Sequence, residues 1–341
     1  MKEKNKSIEE LVKVFSAIND RKEMDRFLRD LCSEAELIAI SERLSVAKRL
    51  KGGEMYSDIA GSMDVSSSLI AKVDDVMKSG KGGFSTGIRA LESDSVCYGT
   101  FASMYDSLTY DVDYKGRVDY IEKLFERFSD IPVHSVLDLA CGTGTASVML
   151  SDRGYEVIGV DSSEEMLAEA RRKQGERDIL FLQQSMSGFE LYGTVDAVVC
   201  LLDSVNYVVD ARELQKCFEL VNNYLNPGGL FIFDINTKYK LENILAGNVF
   251  VDEYDNVFYT WENYYDNNEK ICEFDLNFFM KDGDNTYRRF NETHYERAYT
   301  DREIKTVLEK ANLKLVAMYD DMSYEEPNKK SEKVFYIGKK L

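Results

Sequence analysis

The stretch VLDLACGTGTAS, Val136 to Ser147, decides the fold. Val136, Leu137, Leu139 and Ala140 form the apolar run of a strand covered on both faces. Gly142 and Gly144 let the backbone turn sharply and let a ligand approach where a Cβ would collide. The helix that follows presents free N–H groups at its start. The next strand, YEVIGVD, ends in Asp161, 17 residues beyond Gly144. An acid at that point can accept hydrogen bonds from both hydroxyls of a ribose.

Two kinds of nucleotide ligand use such a turn. A dinucleotide site calls for Gly or Ala three residues after the second glycine, and this chain has Ser147 there. Asp138, inside the first strand, would repel a pyrophosphate and welcome an ammonium group. A ligand with a ribose at one end and a cationic amino acid at the other answers both acids, and S-adenosyl-L-methionine (SAM) is one. Leu137–Gly144 resembles motif I of the class I SAM-dependent methyltransferases, and Asp161 resembles their ribose-binding acid. The resemblance implies cofactor contacts from Asp138, Ala140, Cys141, Gly142, Gly144, Asp161 and the adjoining Ser162 and Met166.

The flanking sequence alternates strand and helix: EVIGV, SEEMLAEARRK, ILFLQ, VDAVVCLL, ARELQKCFELVNNYL, then LFIFDIN after Pro227, Gly228 and Gly229. Such alternation predicts a parallel sheet with helices on both faces, and ligands bind beyond the carboxyl ends of its strands. KLVAMYDD and KVFYIGKK complete an expected seven-stranded, doubly wound, Rossmann-like sheet. Ser185 stands where many relatives carry an acid that accepts from the adenine amino group, and Met186 is placed to lie on the adenine ring or to fill the core. CLLDSVNYV, Cys200 to Val208, closes the fourth strand, so the polar groups Asp203, Ser204, Asn206 and Tyr207 fall at the strand end facing the cofactor sulfur, with Leu202 as a further expected cofactor contact. LACGTG, DSVNY and PGGLFIFDIN together resemble a branch of small bacterial class I methyltransferases. The D/N-P-P-Y/F and Pro-Cys motifs of DNA base methyltransferases are missing.

About sixty residues separate LFIFDIN from the helix DREIKTVLEKAN. Within them FYTWENYY, ICEFDLNFFM and YRRFNETHYERAY alternate like strands, with KDGDN as a hairpin turn. A small antiparallel sheet over the pocket is expected, with Trp261, His294, Arg297 and Tyr299 as candidate substrate contacts. Upstream, Tyr98, Phe101 and Tyr105 precede an amphipathic helix. In related methyltransferases this segment folds over the cofactor, which implies a contact from Tyr105. The catalytic candidates are Asp203, Asn206 and His294, with Asp203 or His294 able to take a proton from a hydroxyl or ammonium nucleophile.

Residues 1–92 read as helices. IEELVKVFSAIND puts Leu11, Val14, Phe15 and Ile18 on one face, and Ser33 with Glu36 has capping-box spacing. MYSDIAGSMDVSSSLIAKVDDVMK has helix-turn-helix spacing, with its turn at Met63–Val65. The run DLCSEAELIAISERLSVAKRLKGGEMYSDIA…LIAKVDDVMKSGKGGF resembles a small Trp-repressor-like family. That implies a homodimer through these helices and DNA contacts from Ser66, Ser67, Ser68 and Lys72, with Arg43, Lys48 and Arg49 near phosphate. Asp64 replaces the usual turn glycine, and Asp74 and Asp75 dilute the basic character of the second helix. A helical module kept for dimerisation or partner docking fits the same residues.

The domain boundary falls in SGKGGFSTGIRALESDS, giving a helical domain at 1–92 and a methyltransferase domain at 96–341. Residues 1–95 hold 16 Lys+Arg against 17 Asp+Glu, so nearly all of the net charge of −18 falls on the second domain. That field repels phosphate backbones and favours a small-molecule acceptor over free nucleic acid. The six cysteines form no CxxC pair and only two histidines occur, so no metal site is expected. With no run of eighteen apolar residues and no secretory signal at the start, a cytoplasmic protein without a membrane span is expected. Two other activities fit the same residues: a transcription regulator that senses SAM without turnover, and an RNA methyltransferase.

Overall fold

The computed structural model describes residues 21–52, 54–63, 65–85, 87–88, 104–106, 108–254, 257–281 and 286–341, with single positions among 7–18 and at 102. The chain divides into two compact units, Met1–Val96 and Cys97–Leu341.

The first unit is helical: α1 Arg21–Leu31, α2 Glu34–Lys51, α3 Tyr56–Ser62 and α4 Ser67–Ser79. The capping box opens α2 as its spacing implies. Ser33 Oγ accepts from the Glu36 N–H, and the Glu36 carboxylate accepts from the Ser33 N–H at 2.9 Å. Val46, Ala47, Ile59, Ile70, Val73 and Ile88 form the core. The backbone is extended at Met63 and Ser66 caps α4, which gives the helix-turn-helix arrangement; Asp64, within the turn, lies outside the described residues.

The second unit is an α/β sandwich with an inserted sheet. Helix α5, Tyr114–Phe128, begins at Asp113, whose carboxylate accepts from the Gly116 N–H. There follow β1 Ser135–Leu139, α6 Thr145–Asp152, β2 Glu156–Asp161, α7 Glu164–Gln174, β3 Ile179–Gln183, β4 Val195–Cys200, a 3₁₀ turn Ser204–Tyr207, α8 Ala211–Tyr224 and β5 Leu225–Asn236. After the insertion come α9 Asp301–Lys310, β10 Leu313–Asp320 and β11 Lys333–Lys340. The sheet order is β10-β11-β5-β4-β1-β2-β3, with β11 antiparallel to both neighbours. Strand alternation divides the core. Leu137, Leu139, Phe231 and Phe233 pack on one face of the sheet; Val136, Val199, Ile232 and Phe335 pack on the other.

The insertion opens with a π-helical turn, Lys240–Leu245, and forms β6 Val249–Tyr254, β7 Val257–Asp266, β8 Ile271–Lys281 and β9 Tyr287–Arg297. The sheet is antiparallel in the order β6-β7-β8-β9. Three strands are expected and four are present. Every residue of β6 is exposed, so its sequence carries no alternation of buried and open positions. In the hairpin turn KDGDN, residues 282–285 lie outside the described residues.

Candidate active site

The glycine turn sits at the carboxyl end of β1, and its backbone has the strained form that the residue types require. Ala140, Gly142 and Gly144 all have positive φ. The two glycines are there for different reasons. A Cβ on Gly142 would meet nothing within 4 Å, so it would project into open space above the turn. A Cβ on Gly144 would stand 2.8 Å from Ala170 Cβ and 3.1 Å from Phe181 Cζ, so this glycine lets the turn seat against α7 and β3.

A cavity of about 40 Å³ lies over the turn, lined by Tyr105, Tyr114, Asp138, Ala140, Cys141, Gly142, Thr143, Thr145, Ala146, Leu201, Leu202 and Ser204. Of the expected cofactor residues, Tyr105, Asp138, Ala140, Cys141, Gly142 and Leu202 meet there. The Asp138 carboxylate accepts from Ser147 Oγ at 2.5 Å, and burial raises its pKa to about 6. Asp161 ends β2 beside the turn: Oδ2 accepts from the Gly142 N–H at 2.8 Å and Oδ1 from the Ser163 N–H at 2.9 Å. Burial raises its carboxyl too, against the pull of these donors. Each oxygen keeps a second lone pair for a ribose hydroxyl.

The remaining expected contacts lie outside the cavity lining. Ser162 and Ser185 are exposed beyond the ends of β2 and β3. Met166 packs with Met104, Tyr105 and Phe278 under the inserted sheet, and Met186 Sδ lies 3.8 Å from Cys200 Sγ against the core. Tyr98 and Phe101 are outside the described residues. Missing from the sequence reading are Thr143, Thr145 and the group that locks the Tyr105 segment onto them. Asp106 accepts from Thr143 Oγ1 at 2.7 Å, and Lys173 on α7 donates to Thr143 and Thr145 while pairing with Asp106.

At the end of β4 the chain makes two consecutive left-handed residues that are not glycine, Leu202 and Asp203. Their N–H groups donate to the two oxygens of Asp234, which is wholly buried on β5. Lys333 on β11 bridges Asp234 and Asp203 at 3.0 and 2.5 Å. Burial alone would raise the Asp203 carboxyl, but the charges of Lys333 and Lys240 prevail and lower it. Burial and then repulsion from Asp203 raise the Glu296 carboxyl well above the usual range. Non-glycine residues held left-handed cost about 1–3 kcal/mol each and cluster at functional sites.

Asn206 departs from the catalytic expectation. Its amide nitrogen donates to the Asn236 and Arg297 carbonyls, and its oxygen accepts from the Asn236 N–H. A buried amide spent this way positions the 3₁₀ turn against β5 and β9. His294 faces Glu292, Nε2 to Oε2 at 3.0 Å. Arg297 and Tyr299 contact the Val209 and Val208 carbonyls, so both brace the turn. In the helical unit Ser66, Ser67, Ser68 and Lys72 are all exposed at the start of α4, while Lys78 pairs with Asp74 and Arg49 with Glu54.

The described residues contain no cluster of metal-ligating groups, and none of their helices is long and apolar enough to cross a membrane. Their five cysteines are free thiols.

The turn leaves open space at Gly142, with buried Asp138 on one side, half-buried Asp161 on the other and a left-handed strand terminus beyond. These features and the sheet order define a SAM-dependent methyltransferase. A family profile described as "Methyltransferase domain" matches residues 136–229, and one described as "Trp repressor protein" matches residues 6–92. The chain is 34% identical over 248 residues to the putative methyltransferase YqeM of Bacillus subtilis, covering 71% of this chain and 97% of that protein. A SAM-dependent methyltransferase from Clostridium acetobutylicum superposes with a TM-score of 0.65 at 36% identity, covering 72% of this chain and 99% of that one. Over 37% of this chain and 54% of the other, identity is 31% to the dTDP-3-amino-3,4,6-trideoxy-alpha-D-glucopyranose N,N-dimethyltransferase of Streptomyces venezuelae. The chain belongs to the SAM-dependent methyltransferase family, with a Trp-repressor-like domain at its amino end. Its cofactor is SAM.

Proposed function

We propose that this protein methylates a small molecule, with Asp138 and Asp161 holding the two ends of SAM and the inserted sheet covering the acceptor. Bound SAM supplies a methyl group on a positively charged sulfur, open to displacement in line by a lone pair. The chain's part is positioning. Asp234 and Lys333 hold the Leu202–Asp203 turn, and Asn206 fixes the 3₁₀ segment that follows it. The observation that carries the proposal is the roof. Phe278, Phe290 and Val257 of the inserted sheet pack with Met104 and Tyr105, and Tyr105 lines the cavity over the turn, so the sheet is joined to the segment that borders the cofactor end. The acidity of this half of the chain adds support, and one relative acts, by its name, on a nucleotide-linked amino sugar. Radiolabelled SAM incubated with a metabolite extract and, separately, with total RNA tests it. Label is expected in a low-molecular-weight product; label in RNA alone overturns it.

We further propose that the helical unit pairs with a second copy of itself. Leu31, Ile38 and Ile40 leave about half of their surface exposed on α1 and α2, apolar surface that a second copy would cover. Light scattering on the full chain is expected to give a dimer, and Ile38→Glu with Ile40→Glu a monomer. The sequence-based alternative of DNA recognition through Ser66, Ser67, Ser68 and Lys72 is tested by band shift at low salt. Lys72→Glu is expected to abolish any shift that α4 causes.

A further inference from the structure

The inserted sheet presents an alternating inner face. Tyr265 on β7, Cys272, Phe274 and Phe278 on β8 and Phe290 on β9 are all buried there. Polar groups interrupt this face midway. The register pairs Trp261 with Leu276 and Leu276 with Glu292, so Trp261 and Glu292 share one cross-strand row. The adjacent row carries His294 opposite Phe274.

Glu292 is the anomaly. Its side chain is 5% exposed. Oε2 faces His294, while Oε1 has no hydrogen-bond partner among the described residues. The Trp261 indole N–H has none either. Buried carboxylate oxygens are nearly always satisfied, and an orphan calls for a missing donor.

The row is joined to the end of β4 through His294. The His294 ring meets the Tyr207 ring edge-on at 5.9 Å, and Tyr207 stands on the 3₁₀ turn directly after Asp203. Tyr207 is 44% exposed. Burial of its hydroxyl, then the charges of Glu296, Asp203 and Glu292, raise its pKa well above the ordinary value. Lys333 is engaged by Asp203 and Asp234, and Lys240 by Asn236.

We propose that Glu292, in the cross-strand row of Trp261 and beside the His294–Tyr207 ring pair, binds the ammonium group of an amine-bearing methyl acceptor. The ammonium donates to the orphan Oε1, and the rings add the attraction of aromatic faces for a cation. His294 fixes Glu292 through Oε2 and is thereby a positioning residue. The inference rests on the methyltransferase reading and deepens it by naming the acceptor's class.

Trp261 is the chain's single tryptophan, so its fluorescence reports on this face alone. The full chain, saturated with S-adenosylhomocysteine, is titrated with glucosamine against glucose and with benzylamine against benzyl alcohol. At least one amine is expected to change Trp261 emission saturably, with its neutral counterpart at least about tenfold weaker. Glu292→Gln keeps the shape and removes the charge. It is expected to weaken the amine about tenfold to a hundredfold, the span of a hydrogen bond to a charged group, while S-adenosylhomocysteine affinity and melting temperature stay unchanged. Equal response to amine and alcohol, no saturable response to any amine, or amine binding that survives Glu292→Gln overturns the inference. Failure of S-adenosylhomocysteine itself to bind would instead remove the methyltransferase reading.

Discussion

Alanine at the two turn glycines separates cofactor binding from folding. Both Gly142 and Gly144 have left-handed φ, +53° and +72°, so each substitution costs roughly 1–2 kcal/mol in backbone strain. Beyond that they diverge. The new methyl at position 142 meets no protein atom within 4 Å, whereas at position 144 it presses on Ala170 and Phe181 at 2.8 and 3.1 Å. Overpacking of that kind adds about 1–3 kcal/mol. A domain of this size loses about 2–4 °C per kcal/mol. Gly142→Ala is therefore expected to melt a few degrees below the parent, and Gly144→Ala several degrees lower still. Calorimetric titration with S-adenosylhomocysteine should rank them the other way: the methyl on Gly142 occupies the space the ligand needs, so Gly142→Ala loses at least about tenfold in affinity through one lost close approach. If Gly142→Ala binds as the parent does, or if the two variants melt together, the assignment of roles within the turn is wrong.

Two further outcomes follow from the buried charges. Burial raises Asp138 to about 6 from an ordinary 3.8, so between those values the folded chain holds a proton that the unfolded chain has released. Stability contributed there is present below pH 4 and declines as pH rises toward 6. Relative to the parent, Asp138→Asn is expected to gain stability across that window in denaturant titrations, and to lose cofactor affinity. Lys333→Met leaves Asp203 and Asp234 facing each other without their cation, a loss of about 3–5 kcal/mol by the usual cost of breaking a buried pair. Urea unfolding measures it, and a loss under 1 kcal/mol would show that the pair is not what holds the turn.

The parts of the molecule that follow local rules were legible from residues alone. The strand–turn–helix at Val136–Ser147, the acid closing β2 and the alternation of strands and helices all depend on neighbours within a few positions. What escaped reading depends on distant ones. Lys333 reaches Asp203 only because β11 inserts antiparallel beside β5, across 130 residues of chain. Asp106 finds Thr143 and Lys173 only when the segment around Tyr105 folds over the turn. The bonds of Asn206 have the same origin: its amide meets Asn236 and Arg297 only when β5 and β9 come together around the 3₁₀ turn. β6 was missed for the opposite reason, since a strand exposed at every position shows no pattern to find.

The most direct measurement is a crystal structure of the full chain with S-adenosylhomocysteine. The ribose hydroxyls are expected within hydrogen-bonding reach of Asp161, the amino-acid end beside Asp138, and the nucleoside over the open face of Gly142. A ligand found elsewhere, or one seated in the cleft with neither acid in contact, would contradict the account.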